Sequence, residues 1–313
     1  MNNIDDNSIA LAHQVFSTHA KSFRLASLFL PKNSIDDIAV LYALCRLIDD
    51  SVDEAPNQEV AQENILQLHS ELVGNKEPRA EIQHFFRLQE KWGLQRRDLL
   101  DLMQGMITDL GPVRIQSDQQ LAQYCYQVAG VVGRMMSPLL GVQSPKAVPF
   151  AIDLGLAMQI TNICRDVLED GHRDRIYLPA SRLEKQGIDG DALIRKEVSP
   201  EKLSLVVQEL LDIADIHYER AYIGTQFIPW RSRLGILIAL RVYRAIGIKL
   251  RNKHQSNPLH GRTIVSPLGK VWNIALAGID FFRTVVWRLK IQQSPQPILY
   301  QSPEDLLTEV HLC

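Results

Sequence analysis

Two stretches of the chain carry carboxylates at helical spacing. The first contains Tyr42, Arg46, Asp49 and Asp53, which follow one another at steps of four, three and four residues. A helix would place all four on one face. Ionised carboxylates four residues apart repel each other unless a cation lies between them. An isolated pair is commonly a solvated helix end, but the rest of this segment is strongly apolar, which favours a binding role.

The second stretch repeats the pattern with Gln159, Asn162, Asp166 and Asp170. It too runs through an otherwise apolar segment. Carboxylate and amide oxygens suit hard cations such as Mg²⁺, which is held by a few carboxylates together with phosphate oxygens of a substrate. Two such helices facing each other would clamp a metal ion. The alternative is a structural ion-pair network of the same aspartates with Arg46 and Arg165.

The elements that carry these residues are long helices. One is predicted over residues 34–54, where Ser34 and Asp37 form a capping-box pattern and Pro56 follows the end. A second is predicted over residues 148–170, with Gly171 able to end it. Helical periodicity also dominates elsewhere, so an all-α fold is expected. We expect a helical domain over residues 1–291 and a tail, rich in Pro, Gln and Ser, over residues 292–313.

Composition narrows the classes of function. The chain has 313 residues, of which 46% are hydrophobic and 22% charged, and its net charge is −2. It lacks the basic excess typical of nucleic-acid binding. The four cysteines form no CxxC pair, the N-terminus does not look like a secretory signal, and charged residues such as Asp153 interrupt the apolar segments. These features favour a cytoplasmic protein without a transmembrane anchor.

Four sequence blocks resemble those of the squalene and phytoene synthase family. LYALCRLIDDSVDEA and AMQITNICRDVLEDGHRDRIYLP are similar to its two aspartate-rich signatures. HAKSFRLASLFLP resembles its HSKSF segment, and YCYQVAGVVGRMMSPLL resembles its YCYxVAGxVG helix. The blocks occur in family order from residue 19 to 179, and RVYRAIGIKL and GRTIVSPLGK match more weakly. Within the family, the sequences of these blocks are most similar to those of bacterial phytoene synthases.

The resemblance implies a single-domain helical bundle of the isoprenoid synthase type, with a deep central cavity and both acidic helices at its mouth. Mg²⁺, or alternatively Mn²⁺, would be coordinated by Asp49, Asp53, Asp166 and Asp170. Catalytic roles would fall to Tyr42, Arg46, Tyr126, Arg165 and Tyr243. Substrate contacts would come from Ser22, Phe23, Ala129, Gln159, Asn162 and Arg175. The family pattern is broken at Ala20, where a serine is usual, and at Leu168, where a glycine is common.

The implied reaction is the head-to-head condensation of two allylic prenyl diphosphates through a cyclopropyl diphosphate. The expected product is phytoene from two geranylgeranyl diphosphates. Squalene or dehydrosqualene from farnesyl diphosphate is the alternative, and only squalene requires NADPH. Chain-elongating synthases and terpene cyclases also use aspartate-rich sites, but the YCYQVAG and RIYLP blocks argue against both. A noncatalytic assembly or scaffold protein of the same fold would be expected to have lost its metal ligands.

A segment near the C-terminus is amphipathic. Its apolar positions at helical spacing are Val271, Ile274, Phe281, Val285 and Leu289, with tryptophans and basic residues around them. Such a helix either packs on the core or contacts the membrane surface. Because a long hydrocarbon product must reach lipid, the sequence suggests peripheral contact with the inner face of the membrane.

Overall fold

The structure is a computed structural model, and it describes residues 6–19 and 32–288. Its first seven helices are α1 (Asp6–His19), α2 (Lys32–Asp53), α3 (Gln58–Val73), α4 (Ala80–Trp92), α5 (Arg96–Thr108), α6 (Asp118–Cys125) and α7 (Val131–Leu139). The remaining seven are α8 (Val148–Arg165), α9 (Val167–His172), α10 (Ala180–Lys185), α11 (Gly190–Ile194), α12 (Pro200–Gly224), α13 (Trp230–His254) and α14 (Pro267–Arg288). The all-α prediction is confirmed. The tail expected over residues 292–313 lies outside the described residues.

Short elements join the helices. A π-helix, Tyr126–Gly130, lies between α6 and α7, and 3₁₀ turns occupy Pro145–Ala147, Thr225–Phe227 and Pro258–His260. Two short strands, β1 (Val113–Arg114) and β2 (Arg175–Ile176), pair in parallel with Val113 opposite Arg175. This small ladder fixes the backbone of Arg175 against the loop that follows α5. One continuous hydrophobic core extends from Ala12 in α1 to Leu250 in α13.

Helix α8 lies at the centre of the bundle, where it packs most extensively against α12. Glycines allow its close approach to the π-helix and α7. A Cβ added to Gly155 would lie 2.5 Å from the carbonyl oxygen of Ala129, and one on Gly133 would collide with the carbonyl oxygen of Ala151. Within the described residues, the segment Pro145–Arg165 is long and apolar enough to cross a membrane. However, 56% of its most apolar 18-residue stretch is buried inside the protein. It is the core helix of the bundle.

Two predicted helix boundaries differ from the structure. Helix α2 begins at Lys32, so Ser34 lies inside its first turn and is not the N-cap; the capping-box prediction was wrong. The Asp37 carboxylate instead accepts hydrogen bonds from Lys91 Nζ (2.6 Å) and Trp92 Nε1 (2.8 Å). The second acidic segment is two helices, because the backbone bends at Asp166 (φ −102°, ψ 17°) between α8 and α9.

A buried ionic contact ties α8 to α12. The Asp153 carboxylate is fully buried and lies 2.7 Å from His217 Nδ1 and 3.0 Å from Arg220 Nε. A buried carboxylate is tolerated only where hydrogen-bonding or charged partners replace water. Asp153 therefore fixes the position of α8, and with it the functional side chains near the C-terminal end of that helix.

Removing this carboxylate should destabilise the fold. We expect Asp153→Ala to lower the free energy of unfolding by about 3–5 kcal/mol, because it removes the fully buried acceptor that His217 and Arg220 share. The matched control is Asp212→Ala on α12, since Asp212 pairs with Arg251 at an exposed position and should cost only about 0–1 kcal/mol. Urea unfolding followed by circular dichroism measures both, and equal small losses would contradict this role of Asp153.

Candidate active site

A polar cavity of about 350 Å³ lies between the C-terminal end of α2 and the junction of α8 and α9. Five carboxylates line it, from Asp49, Asp53, Asp109, Asp166 and Asp170. Its other polar lining residues are Arg46, Arg173, Arg175, Gln159, Asn162, Tyr124 and Tyr177. The structure thus brings the two acidic stretches of the sequence together at one place.

An apolar cavity of about 250 Å³ continues from the polar one. Val128, Gln159 and Asn162 line both cavities. Ala129, Tyr42 and Tyr243 line the apolar part, together with side chains of α7, α8, α12 and α13. An apolar cavity that adjoins a charged one agrees with part of the arrangement that the resemblance implied.

Arginines compensate part of the negative charge. Arg46 lies 2.8 Å from Asp49 and 2.5 Å from Asp50. Asp53 accepts hydrogen bonds from Arg175 Nη1 (2.8 Å) and Arg173 Nη1 (2.7 Å). The second acidic stretch is paired similarly, since Asp166 accepts a hydrogen bond from Arg165 Nε at 2.7 Å and lies 3.1 Å from Arg262 Nε. The ion-pair network considered from the sequence is therefore present.

The compensation is incomplete. Burial raises the pKa of Asp170 to about 7, and the nearby Asp166 charge adds to the rise. Burial likewise raises the pKa of Asp49 to about 6, against the opposing effect of Arg46. Burial acts in the same direction on Asp53, but hydrogen bonds from Arg175 and Arg173 bring its pKa below the usual value. Two of the four aspartates thus lack sufficient counter-charge.

The donor set fits Mg²⁺ that is shared with a substrate. Asn162 Oδ1 is buried and has no hydrogen-bond partner among the described residues. Among the described residues, no three acidic, histidine or cysteine side chains are arranged so that they could bind a metal ion by themselves. Mg²⁺ is commonly held by one or two carboxylates and by substrate phosphate oxygens, so it does not require such a cage. The cavity therefore provides ligands that a diphosphate would complete.

Tyr126, a predicted catalytic residue, lines neither the polar nor the apolar cavity. Its hydroxyl lies 3.5 Å from Asp101 Oδ2, and the Arg134 guanidinium lies over its ring at 5.8 Å from the centroid. Tyr124 lines the polar cavity instead. Residues two apart on a helix point in nearly opposite directions, so only one of these tyrosines can face the site. The block YCY contains both tyrosines, and Tyr126, the predicted site residue, lies two residues from Tyr124, which lines the polar cavity.

Sequence reasoning also missed a buried aspartate. Asp109 accepts hydrogen bonds from Tyr124 Oη (2.9 Å) and Tyr177 Oη (2.6 Å), whose rings stack at 4.8 Å. The Asp109 carbonyl oxygen accepts a third hydrogen bond, from Arg175 Nη2 at 2.8 Å. Tyr177 belongs to the RIYLP block, but no pattern near Asp109 in the sequence indicates a site. The Asp109 carbonyl oxygen thus helps to hold the Arg175 guanidinium beside the Asp53 carboxylate.

The other expected residues are distributed as follows. Gln159, Asn162 and Arg175 line the polar cavity and Ala129 lines the apolar one, whereas Arg165 is held by Asp166 and lines neither. Arg173 and Arg262 were not foreseen, although Arg262 belongs to the weaker GRTIVSPLGK block. Ser22, Phe23 and the substituted position Ala20 lie outside the described residues.

Comparisons with known proteins identify the family. A family model described as squalene/phytoene synthase matches residues 16–268. The chain is 30% identical over 302 residues to a phytoene synthase from Rhodobacter capsulatus, covering 94% of this chain and 88% of that one. It is 37% identical over 240 residues to a phytoene synthase from Thermus thermophilus, covering 76% and 81% of the two chains.

The fold is also found among solved structures. A dehydrosqualene synthase in complex with a ligand superimposes with a TM-score of 0.79 at 27% identity, covering 89% of this chain and 98% of that one. A squalene synthase from Alicyclobacillus acidocaldarius has the same fold, with a TM-score of 0.70 at 20% identity and coverage of 80% and 94%. With the paired aspartate helices at the mouth of an apolar cavity, these matches show that the chain belongs to the squalene/phytoene synthase family.

Proposed function

We propose that this protein joins two molecules of geranylgeranyl diphosphate head to head, through a cyclopropyl diphosphate, to give phytoene. The observation that carries the proposal is the polar cavity rich in carboxylates and arginines, which opens into an apolar cavity. This combination suits a substrate with a diphosphate head and a hydrocarbon tail. The relatives named phytoene synthase favour the C40 product over squalene or dehydrosqualene.

The diphosphate heads would lie among the carboxylates and arginines of the polar cavity. Asp49, Asp53, Asp166 and Asp170, with Asn162 as a neighbour, would hold Mg²⁺, or Mn²⁺ in its place. When bound, the metal draws charge from the leaving diphosphate and so assists ionisation of the allylic carbon–oxygen bond.

The arginines complete this binding site. Guanidinium groups present forked donors that match phosphate oxygens. Arg46, Arg173, Arg175 and Arg262 already face the carboxylates. Binding of a diphosphate together with divalent cations would let the arginines exchange carboxylate partners for phosphate oxygens, while the cations balance the carboxylates.

The apolar part of the cavity would exclude water from the allylic cation. Tyr42 and Tyr243 line the wall near the mouth, where aromatic faces stabilise positive charge. Burial raises the pKa of Tyr42 to about 12 and also raises that of Tyr243. Both phenols therefore stay protonated near neutral pH, and the released diphosphate would be the base that accepts the final proton. Phytoene forms by this proton loss, whereas squalene would require NADPH.

Product analysis tests the proposal. Purified protein is incubated with Mg²⁺ and either geranylgeranyl or farnesyl diphosphate, with and without NADPH, and hydrocarbons are identified by mass. We expect phytoene from geranylgeranyl diphosphate, independent of NADPH and abolished by EDTA. Hydrocarbon from neither substrate would contradict an enzymatic function, and squalene from farnesyl diphosphate alone would contradict the C40 product.

The same assay tests the aspartates. Asp170→Asn should lower kcat/KM at least about 100-fold, because even outer-shell partners of metal ligands are worth roughly 10- to 100-fold. Asp212→Asn is the matched control, since Asp212 lies on α12 in an exposed pair with Arg251 and should leave the rate unchanged. Equal rates for both variants would place the metal elsewhere.

We further propose that α14 contacts the inner face of the membrane from the cytoplasmic side. Leu268, Val271, Trp272, Ile279 and Phe282 are 49–83% exposed and share one face of the helix. Arg283 is exposed at the edge of this face, where it would attract anionic headgroups. Ile274 and Phe281 pack instead on the small core with Leu237 and Ile238 of α13. The apolar stripe expected from the sequence is thus divided, and the side chains of Val285 and Leu289 lie outside the described residues.

Vesicle flotation tests this contact. The double variant Trp272→Glu/Phe282→Glu should reduce recovery with anionic vesicles, because two buried-in-lipid aromatic side chains become charged. Leu66→Glu is the control, since Leu66 is similarly exposed on α3 but lies in a different part of the chain. Flotation of the double variant at the control level would contradict the contact, as would a wild-type protein that does not float.

A further inference from the structure

The apolar cavity has a mouth and a closed end, and the helix directions identify both. Asn162 and Gln159 line the polar and the apolar cavity, so they mark the mouth. Phe150 lines only the apolar cavity and lies twelve residues before Asn162 on α8. At 1.5 Å per helical residue, this separation is about 18 Å along the helix. Phe150 therefore lies at the far end of the cavity from the charged groups.

Other helices give the same orientation. The π-helix and α7 run from Val128 at the mouth to Leu140, and α8 returns towards the mouth, so the turn between them closes the far end. Helix α12 ends there at Gly224, and α13 begins again at Trp230. The two turns touch, since a Cβ built on Gly141 would lie 3.0 Å from Pro229 Cγ. Two helical hairpins thus form the floor.

Phe150 occupies a defined seat in this floor. Its ring stacks on Phe227, with centroids 5.9 Å apart and an interplanar angle of 21°. Gly224 lies directly against it. A Cβ added to Gly224 would overlap Phe150 Cβ and would lie 2.7 Å from Phe150 Cγ. Gly224 has an ordinary right-handed helical backbone (φ −61°), so the backbone conformation does not require a glycine. The glycine matters here because it leaves space for Phe150.

We propose that Phe150, seated on Gly224 and Phe227, sets the maximum length of the prenyl chain that the cavity accepts. The inference rests on the proposed function and adds its chain-length determinant. Packing against Gly224 and Phe227 holds the aromatic ring back from the cavity, which leaves the depth needed for the longer, C20 chain. A methyl group on Gly224 would displace Phe150 from this position, together with the α8 backbone that carries it, because the added atom meets Phe150 at its Cβ. Removing the ring would deepen the cavity.

Paired substitutions test this with competing substrates. The ratio of kcat/KM for geranylgeranyl to that for farnesyl diphosphate should fall at least about tenfold in Gly224→Ala, the scale on which an apolar pocket detects small changes in substrate size. Phe150→Ala should raise the relative use of the C25 geranylfarnesyl diphosphate by a similar factor. Gly278→Ala is the matched control, since a Cβ there meets nothing within 4 Å, and its ratios should equal those of the wild type.

The outcomes separate this inference from the proposed function. A wild-type protein that converts neither prenyl diphosphate overturns the proposed function and this inference with it. A wild-type protein that makes hydrocarbon, while Gly224→Ala and Phe150→Ala leave the substrate ratios unchanged or reduce all rates equally, overturns the chain-length role alone. Circular dichroism checks each fold. If Gly224→Ala does not fold, Phe150→Trp replaces it, because the larger ring should also lower the C20-to-C15 ratio.

Discussion

Mutual repulsion of carboxylates at the cavity mouth is the constraint on which the rest of the structure depends. Asp49 and Asp53 lie in the last turns of α2, and Asp166 follows the last residue of α8. The C-terminal end of a helix carries partial negative charge, so both helix dipoles add to the negative potential of the carboxylates. Such an arrangement persists only if the remaining fold holds the helices in place and if cations balance the charge.

The fold meets the first requirement and part of the second. Buried contacts of Asp153 with α12 and the close glycine contacts of α8 with the π-helix fix the position of the second acidic segment. The strand pair and Asp109 hold Arg175 beside Asp53. Arginine balances Asp53 well but leaves Asp49 and Asp170 with raised pKa values. The residual negative charge would attract a divalent cation, which would in turn bind the anionic diphosphate.

Much of this site could be predicted from the sequence because spacing within one helix determines which face a side chain occupies. That Asp49 and Asp53 share a face, and that Asn162 and Asp166 do, follows from their spacing in the sequence alone. The bend at Asp166 was missed because the apolar pattern continues through it into α9. Tyr124 and Tyr126 could not be distinguished, since a block of matching letters does not say which side of the helix faces the cavity. Asp109 and the contact of Phe150 with Gly224 depend on segments far apart in the chain, so no local pattern reveals them.

The central claim is that the two acidic helices hold divalent metal together with a prenyl diphosphate whose tail fills the apolar cavity. Diffraction from crystals grown with Mn²⁺ and a non-ionising thiolo analogue of geranylgeranyl diphosphate, recorded at the manganese edge, tests it most directly. The account predicts anomalous peaks beside Asp49, Asp53, Asp166 and Asp170, with the analogue's tail reaching towards Phe150. An ordered analogue bound by arginines alone, with no anomalous peak at these carboxylates, would contradict it.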